Sequence, residues 1–209
     1  MKDVSPYVEE SIMNIYGAIV KVKLDSYDGL TAKEIAKHVL NVYGMPNAEI
    51  ESKLDRYLED LPYSYYNVSW KGKMNVLDGM VELLNELKQK NVLVGVATGD
   101  EEKITKMRLQ EAKISEYFKF GSYNENGFYM KDILSHALST IEKDYNLPKK
   151  AGVFVSCSPV YIKSSSDLGL KSIGIETSRH SKQELELAGA STVLKDLKDR
   201  STILKMLIQ

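Results

Sequence analysis

Residues 76–98 read VLDGMVELLNELKQKNVLVGVAT. Over 76–91 the apolar residues recur at helical spacing, which predicts an amphipathic helix. The run 92–98 is continuously apolar and valine-rich, the pattern of a strand covered on both faces. The alternation continues downstream. Helices are expected at 101–114, 131–146, 162–170 and 182–190. Apolar runs AGVFVSCS (151–158) and SIGIET (172–177) read as strands, and STVLKDL (191–197) as a last short one. Strands alternating with helices imply an α/β fold, a parallel sheet with helices on both faces.

Upstream, IMNIYGAIVKV (12–22) is β-branched around Gly17 and reads as a buried first strand. Residues 31–43 place Ile35, Val39, Leu40 and Tyr43 on one helical face. Thr31 with Glu34 three residues on predicts a capping box, and Gly44 and Pro46 a stop. A second helix is expected over 47–61, then an irregular aromatic stretch over 62–75. The expected organisation is a core from 1–22 and 76–209 with a small helical cap inserted at 23–75.

The 209 residues carry 28 basic and 29 acidic side chains, a formal charge of −1. That balance argues against nucleic acid as a partner. A single cysteine, Cys157, excludes an intramolecular disulfide. No apolar run approaches a membrane span, and the opening MKDVSPYVEES lacks a leader-like core, so a cytoplasmic location is expected. His38, His136 and His180 lie far apart, without the spacing of a zinc site.

Ligands in such sheets bind at the carboxyl ends of the strands. On this reading those ends are Asn14–Gly17, Thr98–Asp100 and Ser156–Ser158. In this order and with these flanks the sequence resembles the haloacid dehalogenase (HAD)-like hydrolase superfamily. Within it the likeness is to the phosphoglycolate-phosphatase-like branch with a helical cap. ISEYFKFGSYNENG (114–127) and the text from Val153 to Asp199 are similar to family segments, so the likeness spans about 12–200. It implies a HAD-like core and a family chemistry in which an aspartate attacks phosphorus and magnesium assists.

The motifs implied by the likeness are degenerate. Active members carry DxDGT; aligned by Gly17, Asn14 stands at the nucleophile and Tyr16 at the acid–base position. Thr98, followed by Gly99, keeps the second motif. Phe128 to Met130 surround the phosphate-neutralising cation position, with Lys131 adjacent as a substitute. In GDxxxD, Ser156 replaces the glycine, and Cys157 and Tyr161 the aspartates. Asp25 and Asp28 in LDSYDGLT offer another register for the first motif. A cysteine-phosphatase reading of Cys157 lacks its arginine, since position 163 is Lys163.

The implied catalytic set is therefore not intact, and neither magnesium nor another cofactor is expected. Asn14, Thr98, Gly99, Lys131 and Ser156 are the expected ligand-binding residues. The leading expectation is a binding or regulatory protein for a small phosphorylated or anionic ligand, a protein partner or a second copy. The alternative is an active phosphatase for a small phosphorylated metabolite, using atypical groups. In the run 61–70, Tyr63, Tyr65, Tyr66 and Trp70 read as packing of the lid, with a recognition surface as the other reading.

Overall fold

A computed structural model of the chain describes residues 6–23, 27–68 and 76–208. The first described element is α1 (Pro6–Tyr16), which buries Tyr7, Val8, Ile12 and Tyr16. Those residues follow helical spacing, and this corrects the strand expected over 12–22. Gly17 is the stop, not a strand end: at φ +69° its N–H donates to the Met13 carbonyl at 3.0 Å.

Helices α2 (Ala32–Val42) and α3 (Asn47–Asn67) follow. The Thr31 capping box forms as expected: the Glu34 N–H donates to the Thr31 hydroxyl, and the Thr31 N–H to the Glu34 carboxylate. α3 runs past the expected end at 61, through Pro62, and absorbs Tyr63, Tyr65 and Tyr66. Together α1, α2 and α3 enclose an apolar cluster of fully buried Ile12, Leu40, Ile50, Tyr57 and Leu61.

The α/β part has five strands: β1 (Gly95–Ala97), β2 (Phe120–Ser122), β3 (Val153–Ser156), β4 (Lys171–Ile175) and β5 (Thr192–Leu194). All pair in parallel, β1 with β2, and β4 between β3 and β5. α4 (Met80–Gln89) precedes β1; between the strands run α5 (Glu102–Glu111), α6 (Met130–Tyr145), α7 (Pro159–Asp167) and α8 (Lys182–Leu187), and α9 (Arg200–Ile208) ends the described residues. Neither β2 nor α9 was expected. α4 and α9 cover one face, where Leu83, Leu87 and Ile203 meet Ile173 and Ile175. α6 covers the other, where Met130, Ile133 and Leu134 meet Ala97 and Phe154. Ile104 of α5 belongs to the cluster of the first three helices and joins the two parts.

Candidate functional site

The loop 27–31 reaches the carboxyl ends of both β1 and β3, at Gly99 and at Ser158. Tyr161, in the first turn of α7, connects them: its hydroxyl accepts from the Gly99 N–H at 2.9 Å and bonds the Thr98 side chain. Burial pushes this phenol up to about 12, so it is neutral at pH 7. The Thr98 hydroxyl accepts from the Asp100 N–H, and the Ser156 hydroxyl from the Ser158 N–H. These are short local turns of the kind serine and threonine make at strand ends. The Ser158 hydroxyl is buried without a hydrogen-bond partner.

The roof rests on two glycines. A Cβ on Gly99 would meet Thr31 Cα at 2.8 Å and the Leu30 carbonyl at 3.1 Å. One on Gly29 would meet Ser158 Oγ at 2.8 Å, and its φ of +81° disfavours a side chain in any case. Bare backbone at both positions lets the loop sit on the strand ends. The Ala32 N–H then donates to the Gly99 carbonyl at 2.9 Å, and the Thr31 hydroxyl to the Phe128 carbonyl at 2.7 Å. Lys33 Nζ donates to the carbonyls of Asn124 and Gly127. Asp28 bonds His180 Nε2 at 2.5 Å, and its charge reaches Cys157 and Tyr161. Burial first, then Asp28, push the Cys157 thiol up, which disfavours a thiolate nucleophile.

Of the residues expected at the site, Thr98, Gly99, Ser156, Cys157 and Tyr161 come together here. Asn14 does not. It sits on α1, and its amide donates to Asp60 of α3 at 3.3 Å. Tyr16 is buried under the helices, donating its hydroxyl to the Ile50 carbonyl at 2.9 Å, and burial lifts it to about 12. The alignment of the first motif on Gly17 is thereby overturned, because an amphipathic helix with β-branched residues was read as a strand. Lys131 is exposed in the first turn of α6, where its charge reaches Asp167. Asp25 and Trp70 lie outside the described residues. Ser158, which closes the expected strand end Ser156–Ser158, is at the site, and so are Thr31, expected only as a helix cap, and His180, expected to have no role here. The Asp-Gly pair at 28–29 was the one local signal for the turn that brings the roof down.

Asp100 does not face a ligand alone. Its carboxylate pairs with Arg108, which also reaches the Tyr7 hydroxyl at 3.3 Å. The neighbouring Glu101 is 2% exposed, and burial, then the Asp100 charge, hold its carboxyl well above the usual range. Magnesium, which the resemblance implies, finds a poor donor set at these strand ends: the carboxylates near them, Asp28 and Asp100, are paired with His180 and Arg108, and the other groups are hydroxyls, a protonated thiol and a neutral phenol. Among the described residues no three of His, Cys, Asp and Glu gather into a metal-sized group.

A family model for haloacid dehalogenase-like hydrolases matches residues 9–175. The chain belongs to the haloacid dehalogenase-like hydrolases. Solved HAD-like structures share the fold. A hydrolase from Pseudomonas syringae superposes with a TM-score of 0.69 at 18% identity, covering 95% of this chain and 89% of that one. For a predicted phosphatase from Clostridium acetobutylicum the values are 0.67, 21%, 95% and 89%. A β-phosphoglucomutase from Clostridium difficile gives 0.70, 15%, 97% and 90%. Comparison with curated proteins found no match. Among the described residues, no helix of this HAD-like chain is long and apolar enough to cross a membrane.

Proposed function

We propose that this HAD-like hydrolase-family chain works as a binding or regulatory protein and not as a phosphatase. The observation that carries the reading is Tyr161. It stands where the resemblance implies a magnesium-binding carboxylate, and its buried neutral phenol is already committed to Gly99 and Thr98. Cys157, at the other such position, keeps its proton for the reasons of burial and charge given above. Phe128 occupies the region where a phosphate-neutralising lysine belongs, and Lys131 points its charge elsewhere. Asn14 and Tyr16, which lie on α1, have no part in this reading.

What remains at the strand ends is a set of neutral hydroxyls, those of Thr98, Ser156 and Ser158, since the N–H groups of Gly99 and Asp100 are already committed to Tyr161 and Thr98. Such a set suits a small anion or phosphorylated metabolite. Residues 6–67 then form the lid and 76–208 the core, in place of a division at 22/23. A cytoplasmic protein without a resident cofactor fits the reading, and the charge of −1 gives nucleic acid or a membrane surface no basic footing.

The test is turnover of p-nitrophenyl phosphate with magnesium, run beside thermal shift with inorganic phosphate and 2-phosphoglycolate. The expected outcome is a shift without turnover. Robust magnesium-dependent turnover that falls on Asp28→Asn would overturn the reading and place a working carboxylate in the roof loop.

A further inference from the structure

We propose that the seat of the lid on α5 is a pH-operated latch, shut while Glu101 carries its proton and released when that proton leaves. The latch works whatever the strand ends bind.

Helical spacing builds the seat. Glu101, the N-cap of α5, and Ile104, Thr105 and Arg108 recur at intervals of three and four residues, so they share one face. Glu101, Ile104 and Thr105 are buried. Ile104 enters the apolar cluster of α1, α2 and α3, and Met107 packs at its margin. Arg108 donates to the Tyr7 hydroxyl of α1 and lies over the Tyr65 ring of α3, 5.3 Å from its centroid. The lid helices α1 and α3 therefore rest on a stripe that holds one ionisable carboxyl.

Unmet hydrogen bonds single out that carboxyl. Glu101 Oε1, the Thr105 hydroxyl and the Tyr57 hydroxyl of α3 are all buried without a hydrogen-bond partner. Protonated, Glu101 is a neutral group that an apolar seam tolerates far better than a charge. Ionised, it would be a buried anion without a cation of its own, because Arg108 is already paired with Asp100. Asp100 beside it and Glu125, in the turn at 124–126, carry charges of its own sign. From the lid it meets Tyr57, a phenol that burial keeps neutral, with Tyr7 and Tyr16 of α1 close to that phenol. Burial first, then Asp100, hold the Glu101 carboxyl well above its usual range; its own N–H and Arg108 pull the other way without reversing this.

The direction of the switch follows from linkage. Separating α3 from α5 lets water reach the carboxyl, which then titrates near 4.5. The closed form holds the proton more tightly than the open one. It is therefore fully favoured below 4.5, and above the folded value each pH unit multiplies the open-to-closed ratio by up to about ten. The chain ties this seat to the roof. Gly99, two residues before Glu101, accepts the Ala32 N–H at 2.9 Å. Ala32 lies in the first turn of α2, where an amide has no partner within its own helix. The Ala32 amide is thus protected by the core alone and reports the latch directly.

The experiment uses the whole chain and follows amide hydrogen exchange from pH 5 to 9 in the wild type, Glu101→Gln and Glu101→Met. Comparing the proteins at one pH removes the chemical pH dependence of exchange. At pH 5 the Ala32 amide should exchange at one rate in all three. As pH rises, the wild type should pull ahead by up to about tenfold per pH unit, while both variants stay level with each other. The Leu40 amide inside α2 and the Ile173 amide in β4 should keep equal protection throughout, because the lid lifts without unfolding. Far-UV circular dichroism at pH 5 shows which variants fold, and either one serves as the reference that does not titrate. Should neither fold, the Ala32-to-Ile173 ratio in the wild type alone carries the same reading. Three results would overturn the proposal. Equal Ala32 exchange in wild type and variants up to pH 9, whether slow or fast, takes the latch away from Glu101. Acceleration of Ile173 together with Ala32 means unfolding of the whole molecule. An Ala32-to-Ile173 ratio in the wild type that does not change with pH means that the seam keeps the ionised carboxyl, with the Tyr57 and Thr105 hydroxyls turned to it.

Discussion

The helical lid and the sheet core bury similar aliphatic residues with different completeness. In the lid, Ile12, Leu40, Ile50 and Leu61 are fully enclosed. In the sheet, β4 reaches the same state, yet β1 and β3 keep exposed valine surface. The difference lies in the backbone. A helix satisfies its own interior N–H and C=O groups and needs only side-chain packing from its neighbours. β4 has a paired strand on each edge, whereas among the described residues β1 and β3 each pair on one edge. Completeness in this molecule is set by hydrogen-bond pairing more than by apolar content.

The largest test of that contrast is Leu61→Ala, in the enclosed lid. It should cost about 2–5 kcal/mol, read by urea denaturation. A cost below 1 kcal/mol would show the lid to be loosely packed and remove the contrast. Next comes Glu101→Gln, at the seam of lid and core. The folded carboxyl titrates well above its ordinary value because of burial, then Asp100. Stability from this group is therefore fully present below the unfolded value of 4.5 and is lost as pH rises through the folded value. The wild type should lose up to about 1.4 kcal/mol per pH unit across that window, and the glutamine variant should not. Thermal melts from pH 4 to 8 decide it; parallel curves for the two proteins would refute the assignment. Thr31→Ala removes the α2 cap and the bond to the Phe128 carbonyl, and should cost about 0.5–2 kcal/mol. Smallest is Val155→Ala, in β3, where the side chain is 38% exposed, at less than about 1 kcal/mol. A cost matching Leu61→Ala would mean that β3 is fully packed in solution.

Long periodic signals were legible. The continuous apolar runs at 92–98, 151–158 and 172–177 became β1, β3 and β4, and Thr31 with Glu34 marked the start of α2. The failures have physical causes. Ile12 and Tyr16 lie four apart, a helical interval, but the β-branched residues around Gly17 obscured it. The helix expected over 47–61 continues as α3 through Pro62, with Tyr65 buried edge-on against Tyr7 at 5.3 Å. Tyr63 and Tyr66 on the same helix stay 65% and 77% exposed, so the aromatic run serves packing and surface at once. β2, Phe-Gly-Ser, is too short to carry a pattern. For the site, strand-end logic found Thr98, Gly99 and Ser156 because those strands were read correctly. It misplaced Asn14 because its strand does not exist. It did not bring Thr31 and His180 to the site because loop closure depends on bare backbone at Gly29 and Gly99, which no periodicity encodes.

The bond from the Ala32 N–H to the Gly99 carbonyl has a consequence for affinity. The first turn of α2 spends an amide donor on the strand-end loop, so the closed molecule offers that donor to no anion. A ligand that needs it binds the fraction of molecules in which the lid has lifted. Its apparent dissociation constant is then the intrinsic one divided by that fraction. Weakening the roof, as Thr31→Ala does, would destabilise the protein and tighten such a ligand together.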